Sequence, residues 1–466
     1  MTLEQIRSVY FLGAGGIGMS ALVRYYLHKK KNVAGYDRTE TFLTKQLNAE
    51  GADIHYEDSV KNIPEYCLNK DTTLVIVTPA VPEDHSERMF FRENGFTMIK
   101  RAQALGEISN ESKSLCIAGT HGKTTTSSMT AHLFKQSPLD CNAFLGGILK
   151  NYGTNLLLSD KSEYTVVEAD EYDRSFHRLK PYMAVITSVD PDHLDIYKTP
   201  EAYNESFRKF TSLIRPGGSL IVKKELNFIP RVQDDVKIYT YSSGSEGDFH
   251  TENIRIGNGE IIFDFVTPQN TIKDISLGVP VRINIENGVA AMALAWLNGI
   301  SGDEIRKAMA SFQGAERRFD FHLKTDKTVL IDDYAHHPDE LKASITSVRE
   351  LYPGRKISVI FQPHLYSRTR DFAGEFAESL SSADEVILTD IYPARELPIE
   401  GVTSQIIFDR LNVPEKYLLT KQEIIPFAEK HDFDVLLMAG AGDIENVVQP
   451  MKKLLIAKLK NQNINE

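Results

Sequence analysis

The sequence predicts an α/β protein of three domains, and three observations carry that prediction. With 466 residues the chain exceeds the roughly 250 to 300 residues at which a single core stops growing. Two separate strand-to-glycine-to-helix starts occur early in the chain. A later series of short apolar runs, each ending in polar residues, has the form of a parallel sheet with ligand groups at its strand ends. Ser8 to Leu12, Ile17 to Leu27, Asn32 to Tyr36 and Leu74 to Val77 alternate as strand and helix in the first domain. Ser114 to Ala118 opens the second as a buried strand, followed by a helical stretch from Thr124 to Phe134 and by strands at Tyr164 to Glu168 and Met183 to Ser188. A β-like region spans about 237 to 283, and Glu286 to Leu297 forms an Ala-rich buried helix with the only tryptophan, Trp296. The third series runs through Thr328 to Ile331, Ile357 to Phe361, Glu385 to Thr389 and Val435 to Met438. Boundaries are expected near 111 and 322, giving domains 1–110, 111–321 and 322–466.

Composition sets limits on function. Hydrophobic residues are 42% and charged residues 25%, an ordinary globular balance. The net charge of −11 disfavours a broad nucleic-acid or anionic-membrane surface while leaving room for a local basic pocket. Three scattered cysteines, Cys67, Cys116 and Cys141, offer neither a disulfide framework nor a CxxC clip. Met1 to Arg7 lacks a basic-then-apolar leader, and no apolar run approaches a membrane span, so a soluble cytoplasmic protein is expected.

Gly13, Gly15 and Gly18 form G-x-G-x-x-G after the first strand, with Asp37 at the end of the next. Such glycines admit a pyrophosphate to a helix N-terminus, which fits NAD or another nucleoside diphosphate equally. Gly119-Thr120-His121-Gly122-Lys123-Thr124-Thr125-Thr126 again lies between strand and helix. It is shorter than a strict Walker A loop, since position 117 is Ile117, but amides, a lysine and a metal-binding hydroxyl together suit ATP. Glu168-Ala169-Asp170-Glu171 and the Asp190, Asp192, His193, Asp195 group end the following strands and suit Mg²⁺ or Mn²⁺ beside phosphates. Arg317 and Arg318 could reach a phosphate, and Asp332 to Pro338 and Gln362 to Arg370 place histidines and arginines at two further strand ends.

With these motifs in this order, the sequence resembles the Mur ligases of peptidoglycan synthesis from about Val9 to Ile444. The resemblance is carried by Phe11 to Ser20, the Gly119 to Thr126 loop, Glu168 to Glu171, Asp192-His193-Leu194-Asp195, Arg317-Arg318-Phe319-Asp320, Asp333 to Pro338 and Gln362-Pro363-His364. Tyr392 to Pro398 and Gly440 to Ile444 resemble the branch that adds L-alanine to UDP-N-acetylmuramate rather than the branch that attaches a recycled tripeptide to the same sugar nucleotide. The resemblance implies a Rossmann-like N-terminal domain, a central P-loop ATPase-type α/β domain and a C-terminal Rossmann-like α/β domain. It implies ATP-dependent amide formation through an acyl phosphate, serving cell-wall growth and division, with no nicotinamide, nucleic acid or membrane partner and a monomer or homodimer as the working form.

Residue by residue, the resemblance assigns the UDP-sugar to Gly13, Gly15, Gly16, Ile17, Gly18 and Asp37. It assigns ATP to Gly119, Thr120, His121, Gly122, Lys123, Thr124 and Thr125, with Asn284 and Asn287 toward the adenine and Arg318 and Asp333 also on the nucleotide. Thr124, Glu168 and His193 are the implied Mg²⁺ ligands, with Mn²⁺ as the alternative ion. Tyr334, His336 and Arg368 are expected to face the incoming amino acid, and Lys123, Glu168, His193, His336 and Arg368 form the implied catalytic set. The sequence departs from the family at Val281 and Ile283, where glycine and histidine are usual, and at Leu365 and Arg395. Arg208 stands where some sister ligases carry a carbamylated lysine, so that modification is not expected. Two other classes fit part of the chain. An NAD-dependent dehydrogenase built on the first domain leaves the Gly119 loop unexplained, and a P-loop regulatory switch would bind ATP without turnover.

Overall fold

The computed structural model describes residues 5–192, 194–394 and 396–465, without the side chains of Ile17, Leu194, Asp195 and those from 462 onward. The chain divides into two compact units. One comprises Met1–Glu252, Phe265–Ile272 and Glu286–Met309; the other comprises Asn253–Asp264, Lys273–Ile285 and Ala310–Glu466.

The first unit holds two sheets. Ser8–Leu12 (β1), Asn32–Tyr36 (β2), Asp53–His55 (β3), Thr73–Val77 (β4) and Thr97–Lys100 (β5) form an all-parallel sheet in the order β3-β2-β1-β4-β5. This is the doubly wound order expected of a dinucleotide-type fold. β1 and β4 are buried along their whole length, which is why they are continuous apolar runs rather than alternating ones. The second sheet contains Lys113–Ala118 (β6), Asn142–Leu149 (β7), Thr154–Leu157 (β8), Tyr164–Glu168 (β9), Met183–Ile186 (β10), Ser219–Lys223 (β11) and Lys237–Tyr241 (β12). Its order is β12-β11-β10-β6-β9-β7-β8, parallel except for the β7–β8 edge pair. One apolar cluster runs through both sheets, with Tyr25 of helix Ile17–His28 packing its ring 5.6 Å from that of Phe144 on β7.

His250–Gly257 (β13), Glu260–Val266 (β14) and Thr271–Ser276 (β15) form a separate three-stranded sheet within the β-like region read from the sequence. The Ala-rich helix begins at Arg282, one turn before the Glu286 start that its apolar pattern indicated, and ends at Leu297 as indicated. In the second unit, Asp320–Lys324 (β16), Val329–Asp333 (β17), Ile357–Phe361 (β18), Glu385–Leu388 (β19), Glu415–Leu418 (β20) and Val435–Ala439 (β21) are ordered β16-β17-β21-β18-β19-β20. β16 alone is antiparallel in this sheet. β17, β18, β19 and β21 are buried on both faces, as a parallel sheet covered by helices requires. Among the described residues no helix is long and apolar enough to cross a membrane.

Beneath the first sheet lies a buried carboxyl. Glu87 is fully buried, accepts a 2.6 Å hydrogen bond from the Tyr10 hydroxyl and a 3.3 Å one from the Ser59 amide, and lies 3.3 Å from His55. Burial pushes its carboxyl up to about 7 although these donors favour the charged form. A folded pKa above the unfolded one means the contribution to stability is complete below about pH 4.5 and is lost as pH rises through about 7. Glu87→Gln cannot ionise, so thermal unfolding scans should show the variant gaining on the wild type by up to about 3 kcal/mol between about pH 5 and pH 8. A difference that stays flat over that range would show that Glu87 titrates normally.

Candidate active site

The first glycine loop follows β1. A Cβ on Gly15 would lie 2.7 Å from the Thr44 methyl, and one on Gly18 would lie 2.6 Å from Arg101 Nη1, whereas Gly16 faces open space. Close packing against the short Thr44 and Asp37 side chains therefore favours glycine at 15, whereas at 18 the neighbour is the tip of a flexible arginine. Asp37, at the end of β2, accepts hydrogen bonds from the Gly15 amide at 2.6 Å and the Thr39 amide at 3.2 Å. The carboxylate thus occupies a loop amide that would otherwise face an anion. Arg101 forms an ion pair with Asp170 at 3.2 Å, linking this loop to the end of β9.

The second glycine loop leads from β6 into helix Lys123–Lys135. Gly119 has φ +148°, and a Cβ there would stand 2.0 Å from Thr187 Oγ1, so only glycine fits. Thr187 and Ser188, which the sequence pattern placed in a strand, leave the ladder after Ile186. Thr187 Oγ1 donates to the His121 carbonyl at 2.5 Å, and Ser188 Oγ accepts from the His121 amide at 2.8 Å. Thr120 is held by the Asp190 carbonyl at 2.7 Å and the Tyr203 hydroxyl at 2.9 Å. The loop is therefore pinned from β10 and from helix Pro200–Thr211.

Lys123 folds back over the loop. Its ammonium donates to the Gly119 carbonyl at 2.5 Å, the Thr120 carbonyl at 3.2 Å and Glu171 at 2.8 Å. Glu171 is 2% exposed, and burial raises its carboxyl while the Lys123 charge draws it back down. Thr124 Oγ1 donates to Glu168 at 2.9 Å, and the other Glu168 oxygen accepts from the Gly146 amide at 2.9 Å. A hydroxyl and a carboxylate side by side at this glycine loop are the hard oxygen donors that Mg²⁺ takes. Thr125 lies half-buried on the first helical turn, and Asn287 accepts from Thr126 Oγ1 at 3.2 Å beside the loop. His193 lies outside the described residues.

In the second unit, a strained turn precedes β16. Arg317 and Phe319 have φ of +59° and +48°, a left-handed conformation that costs about 1 to 3 kcal/mol at a non-glycine residue. Asp333, at the end of β17, is buried and accepts from the Phe319 amide at 3.1 Å and from the Ser344 hydroxyl. Its carboxylate therefore secures the turn. Both arginines lie over the Tyr334 ring, Arg317 at 5.1 Å and Arg318 at 5.4 Å from its centre. His336 Nδ1 lies 2.9 Å from the Tyr334 carbonyl, an acceptor only, so Nδ1 carries the proton and Nε2 keeps its lone pair. Burial holds this histidine below its ordinary range, with the Arg368 and Arg318 charges acting in the same direction against Glu340. His364 lies 6.0 Å from the His336 ring and 3.5 Å from Arg368 Nη1. Asn284 is buried and donates to the Val279 carbonyl at 3.2 Å.

Residues 8–113 match the Mur ligase family, catalytic domain; residues 117–295 match the Mur ligase middle domain; residues 317–442 match the Mur ligase, glutamate ligase domain. A UDP-N-acetylmuramate–L-alanine ligase of Parabacteroides distasonis is 63% identical over 460 residues, covering 99% of this chain and all of that one. This chain belongs to the Mur ligase family. A second Mur ligase of the same designation, from Phocaeicola vulgatus, is 61% identical over 98% of this chain and all of that one. Among solved Mur ligases, the UDP-N-acetylmuramate–alanine ligase of Thermotoga maritima superposes with a TM-score of 0.78 at 28% identity, covering 98% of this chain and 99% of that one. A murein peptide ligase from Psychrobacter arcticus gives 0.62 at 20% identity over 96% and 98% and shares the fold.

The Mur ligase architecture explains where sequence reading succeeded and where it fell short. Glycine loops and strand-end charges were visible as motifs. Thr187, Ser188, Tyr203 and Gly146, which shape the second glycine loop, lie far from it in sequence and belong to no motif; Glu171 was visible in the acidic run ending β9, but its pairing with Lys123 was not. A further titratable group, Glu385, Glu415 and His431, draws side-chain ligand atoms within 4.8 Å of one another. Lys356 lies 3.0 Å from Glu415 and 3.5 Å from Glu385, so an ammonium already balances these carboxylates at the far edge of the sheet.

Lys123→Ala would confound charge loss with a stranded Glu171, because removing one partner of a buried pair costs about 3 to 5 kcal/mol. The Lys123→Met/Glu171→Gln double variant separates the two. It should unfold within a few degrees of the wild type and lose at least about 100-fold in ATP-dependent phosphate release. Activity near the wild-type level would remove Lys123 from the phosphate site.

Proposed function

We propose that this chain is an ATP-dependent ligase that joins L-alanine to the carboxylate of UDP-N-acetylmuramate, releasing ADP and phosphate, in the cytoplasmic synthesis of peptidoglycan precursors. The 63% identity across 99% of the chain to a relative of that designation carries the reading. The site chemistry supports it. In the first step a muramoyl carboxylate oxygen attacks the γ-phosphorus of ATP, the bond to the β–γ bridging oxygen breaks, and an acyl phosphate and ADP result. Lys123, the loop amides from Gly119 to Thr125 and the helix N-terminus neutralise the phosphate charge that shifts in this step. Thr124 and Glu168, with His193 as the third ligand, would hold Mg²⁺ or Mn²⁺, which screens phosphate charge when bound. Arg318, exposed at the strained turn, offers a further cation to a phosphate.

In the second step the alanine nitrogen attacks the acyl carbon, a tetrahedral intermediate collapses, and phosphate leaves. The attacking amine must lose its extra proton, and the unprotonated Nε2 of His336 is suited to accept it. Arg368 pairs with the amino-acid carboxylate, and Tyr334 forms the wall beside it. Gly13, Gly15, Gly16, Ile17, Gly18 and Asp37 take the sugar nucleotide, with the Gly15 amide as the group that a diphosphate oxygen would win from Asp37. Asn284, Asn287 and Asp333 complete the proposed nucleotide set, and the domains divide near 111 and 322.

The test is phosphate release by the purified chain with ATP, Mg²⁺ and UDP-N-acetylmuramate. Release should require L-alanine and remain at background with the L-alanyl-γ-D-glutamyl-diaminoacid tripeptide. Dependence on the tripeptide instead would assign the chain to the recycling branch, and ATP binding without release under any condition would leave a regulatory switch.

A further inference from the structure

Arg317, paired with Arg318 in the sequence as a group that could reach a phosphate, has its side chain engaged within the fold instead. The two adjacent arginines part company at the left-handed turn: Arg318 is exposed, whereas the Arg317 side chain is only 18% exposed. Its Nη2 donates to the Gly440 carbonyl at 2.5 Å, its Nη1 to Glu445 at 2.8 Å, and its Nε lies 3.5 Å from the buried Asp332 carboxylate. Its own carbonyl accepts from the Tyr334 amide at 2.7 Å. One guanidinium thus spans the end of β17, the turn after β21 and the first residue of helix Glu445–Asn465. Glycine is required at 440, because its φ is +141° and a Cβ there would stand 2.7 Å from the Gln362 carbonyl. Gln362 in turn bonds Asp443 at 2.8 Å and the Ile444 amide at 2.9 Å, which closes the circuit onto β18.

We propose that Arg317 is a positioning residue, a planar fork that locks the carboxyl ends of β17 and β21 together so that Arg318 and Tyr334 are presented to substrates in one fixed arrangement. The inference rests on the ligase reading above. A guanidinium suits this task better than an ammonium, since two acceptors in different directions and a buried carboxyl beside Nε match the several donors of a rigid plane. Asp332 is the buried carboxyl beside the fork, pushed up to about 7 by burial and drawn back down by the Arg317 charge, and the exposed Glu445 steers the outer edge.

The experiment is steady-state phosphate release by full-length Arg317→Ala and Arg317→Lys, with KM measured separately for ATP, L-alanine and UDP-N-acetylmuramate and with thermal melts alongside. Misplacing binding groups by about 1 Å costs on the order of 10²-fold in rate, so Arg317→Ala should lose about 10- to 100-fold in kcat/KM for ATP and L-alanine. KM for UDP-N-acetylmuramate should stay at the wild-type value, and added guanidinium ion at concentrations below those that unfold the protein should restore part of the lost kcat. Arg317→Lys should fold and show the same pattern more weakly, which keeps the test available if the alanine variant does not fold. Wild-type kinetics in either folded variant would overturn the inference. So would a loss shared equally by all three substrates without rescue, because that pattern marks general destabilisation. If the wild type itself shows no L-alanine-dependent release, it is the ligase reading that fails.

Discussion

Parallel pairing is the constraint on which everything else depends. A parallel strand must be followed by a crossover, usually a helix, so the ends of the strands and the starts of the next helices collect along one edge of each sheet. The amides exposed at those helix starts favour anions, and the loops before them are free to carry unusual residues. In this chain the first glycine loop, the phosphate loop, the acidic ends of β9 and β10 and the charged ends of β17 and β18 all obey that rule. The chemistry is grouped by topology before any side chain is chosen.

The charge pattern follows from the same placement. A net charge of −11 repels phosphates at long range, yet Lys123 opens the helix after β6, Arg318 precedes β16 and Arg368 lies in the short helix Tyr366–Asp371 after β18. Internal pairing is common to both kinds of cation: Lys123 is matched by the buried Glu171, and Lys356 by Glu385 and Glu415.

Most of the fold was legible because buried parallel strands are written as uninterrupted apolar runs. Ser8–Leu12, Asn32–Tyr36, Tyr164–Glu168 and Ile357–Phe361 begin and end where the pattern indicated. Short or edge strands were not legible: Asp53–His55 and Thr97–Lys100 are too brief and too polar to stand out, and the antiparallel pairing of Asp320–Lys324 has no periodic signature. The site was legible to the extent that its groups are local in sequence. Gly119 to Thr125 is a motif, but the hydroxyls of Thr187 and Ser188 reach it only because β10 lies beside β6, a register that no local pattern encodes. Arg317 illustrates the same limit: next to Arg318 in sequence it looked like its duplicate, and only the turn sends the two in different directions.

The lysine of the phosphate loop does not wait unpaired. It is stored against Glu171, a carboxylate that is almost wholly removed from water and whose affinity for protons is restrained mainly by that ammonium. Any triphosphate that draws the ammonium away leaves this carboxylate without its counter-charge, and the inexpensive response of a buried acid in that position is to take up a proton from solvent. On the ATP-binding reading proposed above, nucleotide arrival would be coupled to hydrogen-ion uptake through this single side chain, and the affinity for ATP would carry a pH dependence that originates in the protein.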